Sequence, residues 1–169
     1  MKPPWIVVRR EPYEEPSHTH IFIWVSNGLF MGGTDFYCHV DDLQTIGEAL
    51  QVFPRSVPDE YNYEYGGKRR EGSEYFRYFL LRASTVNRAG ACTIQVIIDR
   101  NEETPNDGYC EFSLHVEAAQ LNRLGRRFCR LHELERGEIH WNSKSALIFE
   151  DSREMGENTL ADFPKGFID

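Results

Sequence analysis

The chain has 169 residues, of which 40% are hydrophobic and 13% aromatic, enough for one domain with a substantial core. Asp and Glu number 27 against 19 Lys and Arg, and the net charge of -8 argues against a general nucleic-acid binder, which carries excess basic charge. The longest apolar run, Ile21 to Val25, is too short to span a membrane, and the N-terminus lacks a secretory signal. We therefore expect a cytoplasmic protein.

The first part of the chain predicts three strands. Trp5 to Val8 is a short strand ended by a charged, proline-broken segment, and Ile21 to Val25 is apolar on both faces, as an interior strand is. A turn at Ser26-Asn27-Gly28 leads into a third strand, Leu29 to Val40. The Gly32-Gly33 pair inside it indicates a bulge or a close backbone approach.

A first helix follows the third strand. Asp41 and Asp42 are suitable capping residues, and Pro54 is a suitable stop. Between them, apolar residues recur at helical spacing, namely Leu43, Ile46, Leu50 and Phe53.

Residues 55–73 are irregular and polar, which predicts a long loop, and long loops in compact domains are commonly functional or mobile. The loop contains a dense group of tyrosines among acids. Tyrosine rings supply contact area at binding surfaces, and acids suit a basic partner. The predicted partner-binding residues are Asp59, Glu60, Tyr61, Tyr63, Glu64 and Tyr65. The alternative is that one or two of these rings simply cover the edge of the core.

The second part carries the clearest periodicity. A strand from Tyr75 to Val86 precedes a hairpin in which apolar residues alternate on both strands, and a helix with one apolar side follows. The helix is expected to lie across the apolar face of the hairpin. The residues predicted to be buried together are Ile94, Val96, Phe112, Leu114, Leu121, Leu124 and Phe128.

After a helix stop at Gly137, Ala146 to Phe149 is a candidate edge strand. Residues 1–150 are expected to form a single α+β domain. The predicted architecture is an antiparallel sheet of about six strands with two helices packed on one face, a two-layer sandwich. Residues 151–169 form an acidic C-terminal extension. We expect it to dock on a protein surface, because it contains too many apolar residues for a segment that stays in solvent. Its apolar residues are Leu160, Phe163, Phe167 and Ile168.

Several sets of polar residues are candidates for chemistry. His18 and His20, with His39 or His115, could hold a metal, but no carboxylate or cysteine lies at ligand spacing, and a solvated loop is the simpler interpretation. Glu111, Ser113 and His115, beside Gln95, could supply a base and a nucleophile, although alternating polar residues are also typical of a wet sheet face. No metal and no cofactor are predicted.

Two further sets have simple structural interpretations. The second helix carries a basic stripe that could grip phosphate or an acidic partner, or pair with the protein's own carboxylates. The stripe consists of Arg123, Arg126, Arg127 and Arg130. The four cysteines stand singly, as buried thiols of a reducing compartment do. They are Cys38, Cys92, Cys110 and Cys129.

From Ile21 to Leu131 the order of elements resembles that of small bacterial immunity-type domains of unknown function. The resemblance rests on Gly28-Leu29-Phe30, on the acid-capped helix with Leu43 and Leu50, on Ile94-x-Val96-x-Ile98, and on the aromatic-acidic strand feeding a Leu-rich helix. The resemblance implies a stoichiometric binder without catalytic residues, of a class thought to neutralise co-encoded toxins.

The expected function is therefore non-enzymatic binding of a basic protein such as a toxin, by a monomer or homodimer, with no nucleic acid and no membrane as partner. One alternative is a small hydrolase or ligand-binding domain that uses the polar sheet face near Glu111 and His115. Another is a structural homodimer subunit.

Overall fold

A computed structural model describes residues 2–67 and 77–150. These residues form nine strands and two helices. In chain order the elements are β1 (Trp5–Pro12), β2 (His18–Ser26), β3 (Met31–His39), α1 (Val40–Gln51), β4 (Glu60–Gly66), β5 (Tyr78–Thr85), β6 (Ala91–Asp99), β7 (Tyr109–Glu117), α2 (Ala118–His132), β8 (Gly137–Asn142) and β9 (Ala146–Phe149). No helix in the described ranges is long and apolar enough to cross a membrane.

The strands form two antiparallel sheets. Sheet A has the order β3-β2-β1-β8-β9, and sheet B has the order β4-β5-β6-β7. One cluster of buried side chains, the main core, joins both sheets and both helices. The α+β class is confirmed, but the prediction of a single sheet of about six strands with two helices on one face is wrong. Periodicity shows which residues are buried, but it does not show which strands pair, and β1 pairs with the distant β8.

The predicted core is confirmed. The β6–β7 hairpin is paired from Ala91 to Asp99, and the apolar residues of the helix that follows it share the main core with those of the hairpin. All seven residues predicted to be buried together are at most 7% exposed: Ile94, Val96, Phe112, Leu114, Leu121, Leu124 and Phe128.

Two strands differ from the sequence-based expectation. β1 continues through its arginines to Pro12 because both are buried with partners. Arg10 donates to the carbonyl oxygens of Leu131 and His132 at 3.0 and 2.7 Å, so it satisfies groups that the end of α2 leaves without helical partners. β8 was not predicted at all, although its Trp141 is fully buried in the main core.

The glycine pair of β3 marks close approach and not a bulge, since the β2–β3 register runs unbroken past it. A Cβ on Gly33 would lie 2.5 Å from Trp24 Cδ1, and one on Gly32 would lie 3.2 Å from Ile98 Cδ1. The expected docking of residues 151–169 lies outside the described residues.

The two helices touch backbone to backbone at another pair of glycines. A Cβ on Gly125 would lie 2.7 Å from the carbonyl oxygen of Gly47, and one on Gly47 would lie 2.9 Å from that of Gly125. Asn122 fixes the same crossing, since its Nδ2 donates to the carbonyl oxygens of Leu50 and Phe53 at 3.0 and 2.7 Å. The contact between α1 and α2 therefore depends on glycine at both positions.

Replacing Gly125 by Ala should destabilise the fold by about 1–3 kcal/mol, because the helices must move apart to admit a methyl group. This loss is expected in spite of the higher helix propensity of alanine, which by itself favours the helix by about 1 kcal/mol relative to glycine. Urea unfolding measures the change. Gly108→Ala is the matched control, since a Cβ there meets nothing closer than Arg100 Cδ at 3.6 Å. Equal midpoints for the two variants would contradict the close crossing.

Candidate functional site

The outward face of sheet A, opposite the main core, carries a row of aromatic rings. Along β2, Thr19, Ile21 and Ile23 are buried, with the two isoleucines in the main core. Because side chains alternate along a strand, the residues between them stand on the outward face. These residues are His18, His20, Phe22 and Trp24.

The neighbouring strand and the β1–β2 connection extend this row. Tyr37 on β3 is in register with His20, and Tyr13 comes from the connection. Ring centroids are separated by 4.4 Å from Tyr13 to Tyr37 and by 4.2 Å from Tyr37 to His20. They are separated by 4.2 Å from His20 to Phe22 and by 6.1 Å from Phe22 to Trp24. We call these five rings the ring ladder.

The two ends of the ring ladder differ in exposure. Tyr13 and Tyr37 are 52% and 45% exposed, whereas Trp24 is 1% exposed. His18 and His39 lie beside the open end, with their ring centroids 4.4 Å apart. The open end therefore offers aromatic faces to a ligand.

The carboxylates on this face are paired. Asp35 lies 2.9 Å from His20 Nε2 and 3.5 Å from Arg77 Nε, and Glu11 lies 2.8 Å from Arg136 Nε. Burial alone would raise the pKa of Asp35, but the hydrogen bond from His20 and the charge of Arg77 hold it below its ordinary value of 3.8.

Glu138, on β8, is the most deeply buried carboxylate of the face. It is fully buried, accepts a hydrogen bond from Arg9 Nε at 2.6 Å, and is also bonded to His140. Burial would raise its pKa, but the bonds from His140 and Arg9 hold it below the ordinary value of 4.5. Arg9 in turn lies over the Trp24 ring, with Cζ 5.4 Å from the centroid. Each of these three carboxylates, Asp35, Glu11 and Glu138, therefore has a basic partner on this face.

All of the predicted partner-binding residues except Asp59 lie not in a loop but on strand β4. Its tyrosines alternate with polar residues, so Tyr61, Tyr63 and Tyr65 fall on the inward face and pack against the main core. The Tyr63 hydroxyl donates to Asp42 at 3.1 Å, and burial raises the pKa of Tyr61 to about 12. The tyrosines therefore cover the edge of the core, and their spacing of two residues is that of a strand.

The acidic residues of the predicted partner-binding set stand apart from its tyrosine rings. Glu60 is exposed, and Glu64 accepts a hydrogen bond from the Tyr78 hydroxyl at 2.7 Å. Asp59 accepts one from the Arg55 amide at 2.7 Å. The structure does not join acids and tyrosines into one contact patch.

The basic stripe of α2 is mostly used within the domain. Arg123 and Arg127 donate to the carbonyl oxygens of Ser143 and Ala146 at 3.0 and 2.7 Å, and so hold the β8–β9 hairpin. Arg130 pairs with Glu150 at 2.8 Å, while Arg126 is exposed.

The other candidate sets are not assembled into sites. On β7, Glu111 accepts hydrogen bonds from Gln95 at 2.7 Å and from Tyr109 at 2.8 Å. In the described ranges no hydrogen bond joins Ser113 to His115, so the suggested base and nucleophile are not paired. No group of three His, Cys, Asp or Glu side chains there could hold a metal. All four cysteines are free, and burial raises the pKa of Cys38 to about 12.

The interior of the main core offers little space to a ligand. An apolar gap lined by side chains such as Ile23, Phe36 and Leu43 has a volume of ≈ 10 Å³, close to the minimum that admits one water molecule. The open rings of sheet A are better placed to meet a ligand.

Sequence reasoning missed the ring ladder. Its detectable pattern was a ring at every second position from His18 to Trp24, hidden because the intervening Ile21 and Ile23 made the segment look apolar on both faces. Tyr13 and Tyr37 join it only through β2–β3 pairing and the path of the connection.

No protein-family model matches the chain, and no curated protein matches it in sequence. Two solved structures are similar in overall arrangement. The plant transcriptional regulator PBF-2 matches with a TM-score of 0.44 and 9% identity, over 78% of this chain and 76% of that chain. WHY3 from Arabidopsis thaliana matches with a TM-score of 0.42 and 8% identity, over 78% and 82%.

These matches are to plant proteins, one of them a transcriptional regulator, and not to immunity proteins. The prediction of a bacterial immunity-type inhibitor that binds a basic protein and no nucleic acid is therefore wrong. At this level of identity, no residue role is transferred from either structure.

Proposed function

We propose that the protein binds single-stranded nucleic acid by stacking bases on the ring ladder of sheet A. The observation that carries this proposal is the unbroken series of five rings on one face of a sheet. Aromatic side chains on open sheets and grooves are a common means of holding unpaired bases, because every base has a π-face.

The open end of the ladder suits an extended strand. Tyr13 and Tyr37 are 52% and 45% exposed there, so their rings can meet bases of a stretched single strand. Bases in a duplex are already stacked on one another and cannot use such rings. The proposed ligand is therefore single-stranded.

The electrostatics of the face predict binding that depends mainly on stacking. Asp35, Glu11 and Glu138 are each paired with a basic side chain, so they repel phosphate less than free carboxylates do. The described arginines Arg9, Arg77 and Arg136 are already engaged by these carboxylates. If about two phosphates are contacted, the slope of log affinity against log salt should be no steeper than about -1.4.

Replacing Tyr37 by Ala should weaken binding of a labelled 20-nucleotide oligothymidylate by roughly fivefold to 150-fold, since stacking contributes about 1–3 kcal/mol per base. Fluorescence anisotropy measures the affinity, and Tyr37→Phe should retain it. Tyr109→Ala is the matched control, because Tyr109 is 64% exposed on β7 of the other sheet.

Two results would contradict the proposal. One is an oligothymidylate affinity that Tyr37→Ala and Tyr109→Ala reduce equally. The other is an absence of binding at low salt by the wild-type chain.

A further inference from the structure

The connection between β2 and β3 exposes three consecutive apolar side chains. Leu29, Phe30 and Met31 are 73%, 64% and 51% exposed, and we call them the apolar tip. They take no part in the main core of the described residues. Single exposed apolar residues are common on protein surfaces, but a contiguous exposed group is typical of a contact site. The apolar tip is therefore a candidate contact with a ligand.

Hydrogen bonds hold the apolar tip in one conformation. The Asn27 side-chain oxygen accepts from the amides of Leu29 and Phe30 at 3.0 and 2.9 Å. The Asn27 amide donates to the Phe30 carbonyl oxygen at 3.2 Å. Asn27 Nδ2 donates to the Ser113 carbonyl oxygen at 3.2 Å, which fastens the connection to β7 of the other sheet. A contact surface that is fixed before binding loses less conformational entropy when the ligand arrives.

The apolar tip reaches the same face of sheet A as the ring ladder. Side chains alternate along β3, and Met31 and Tyr37 are six residues apart, so both stand on the outward face. Six residues of a strand span about 20 Å. The outward positions between them are Gly33, which has no side chain, and Asp35, which pairs with Arg77 at 3.5 Å. The face thus has two exposed ends, the apolar tip and the open end of the ring ladder.

The charge near the apolar tip favours nucleic acid over a membrane surface. Residues 21–34 contain no Asp, Glu, Lys or Arg, although the whole chain carries a net charge of -8. No carboxylate of this stretch repels a phosphate. A tip that enters a membrane surface is commonly flanked by Lys or Arg, which anionic headgroups attract, and this stretch has neither.

We propose that Phe30 is a second stacking site for the single strand that binds the ring ladder, so that one strand runs from Tyr37 to the apolar tip. This inference rests on the proposed function and adds a length to the ligand. Nucleotides in a stacked strand advance about 3.4 Å each, so 20 Å corresponds to roughly six of them, and a stretched strand needs fewer.

The first test measures binding of the labelled 20-nucleotide oligothymidylate by fluorescence anisotropy. Phe30→Ala should weaken binding by roughly fivefold to 150-fold, the loss of one stacked base. Phe30→Tyr should retain the affinity because it keeps a ring, whereas Phe30→Leu should not, because it keeps only apolar surface. Tyr109→Ala is the matched control, since Tyr109 is also 64% exposed but lies on sheet B. Circular dichroism checks that each variant is folded.

A trinucleotide separates the two stacking sites. It is too short to bridge about 20 Å at about 3.4 Å per nucleotide, so it occupies one end of the face at a time. Phe30→Ala should therefore change its affinity by no more than about twofold, measured by competition with the labelled strand at low salt. An equal loss of affinity for the trinucleotide and the 20-nucleotide strand would overturn the two-site arrangement.

The remaining outcomes separate this inference from the proposed function. Phe30→Ala with wild-type affinity for the 20-nucleotide strand, while Tyr37→Ala is weakened, would overturn the second site and leave the proposed function standing. Wild-type affinity of Phe30→Leu would show apolar contact without stacking and would overturn it equally. A wild-type dimer that dissociates in Phe30→Ala would assign the apolar tip to a contact between copies of the chain, which also overturns it. Absence of binding by the wild-type chain would overturn the proposed function itself.

Discussion

Replacing Arg9 by Met is expected to lower the free energy of unfolding by about 3–5 kcal/mol, because it leaves the charge of Glu138 buried without its guanidinium partner. Glu138 is fully buried, and the Arg9 side chain is 3% exposed. At so buried a position, water cannot solvate the carboxylate of Glu138 in place of the lost guanidinium. Urea unfolding followed by circular dichroism measures the change.

The double variant Arg9→Met/Glu138→Leu separates loss of charge pairing from loss of packing. Replacement of a buried ion pair by apolar residues of similar size is often neutral or stabilising, so the double variant should recover much of the loss. A double variant as unstable as the sum of both single variants would show that the two residues act independently.

The same pair predicts a pH dependence. The pKa of Glu138 is lower in the folded chain than its ordinary value of 4.5, so its ionised form stabilises the fold. This contribution is fully present above pH 4.5 and is lost as the pH falls through the lower folded pKa. The stability difference between wild type and Glu138→Gln should be constant at neutral pH and should shrink below about pH 4.5. A difference that grows on acidification would contradict the assignment.

Replacing Leu124 by Ala is the second large expected effect, a loss of about 2–5 kcal/mol in the free energy of unfolding. Leu124 is fully buried in the main core, where α2 meets both sheets and α1. Removal of the methyl groups leaves a cavity. The cavity cannot close by movement of α2 toward α1, because the backbones of the two helices are already in contact.

Arg126→Ala in the same helix is the control, because Arg126 is exposed and its replacement should change stability by at most about 0.5 kcal/mol. Denaturation midpoints measure both variants. A midpoint for Leu124→Ala equal to that of Arg126→Ala would show that α2 does not depend on this side chain for packing.

The sequence was most informative where one period runs through a whole element. The β6–β7 hairpin and α2 follow periods of two and about 3.6, and all seven residues predicted from them are buried together. In β4, Tyr61, Tyr63 and Tyr65 also follow a period of two, but the polar composition of the segment predicted a loop. β8 contains Glu138 and His140 among its six residues and is too polar for periodicity to identify it.

The ring ladder was harder to predict because its members come from separate parts of the chain. His20, Phe22 and Trp24 are neighbours on β2, but Tyr37 joins them through register and Tyr13 through the β1–β2 connection. The pairing of charges also depends on contacts between segments. The sum over the chain is -8, while Asp35 is paired with His20 and Arg77, and Glu138 with Arg9 and His140.

The sequence by itself determined the α+β class, the interior character of Ile21 to Val25 and the apolar sides of the β6–β7 hairpin and α2, because burial is a local property that periodicity records. Only the tertiary structure decided the division into two sheets, since strand pairing joins residues as distant as Arg9 and Glu138. It also decided which rings stand together and which charges cancel. These are contacts between segments, and no single segment contains the geometry that creates them.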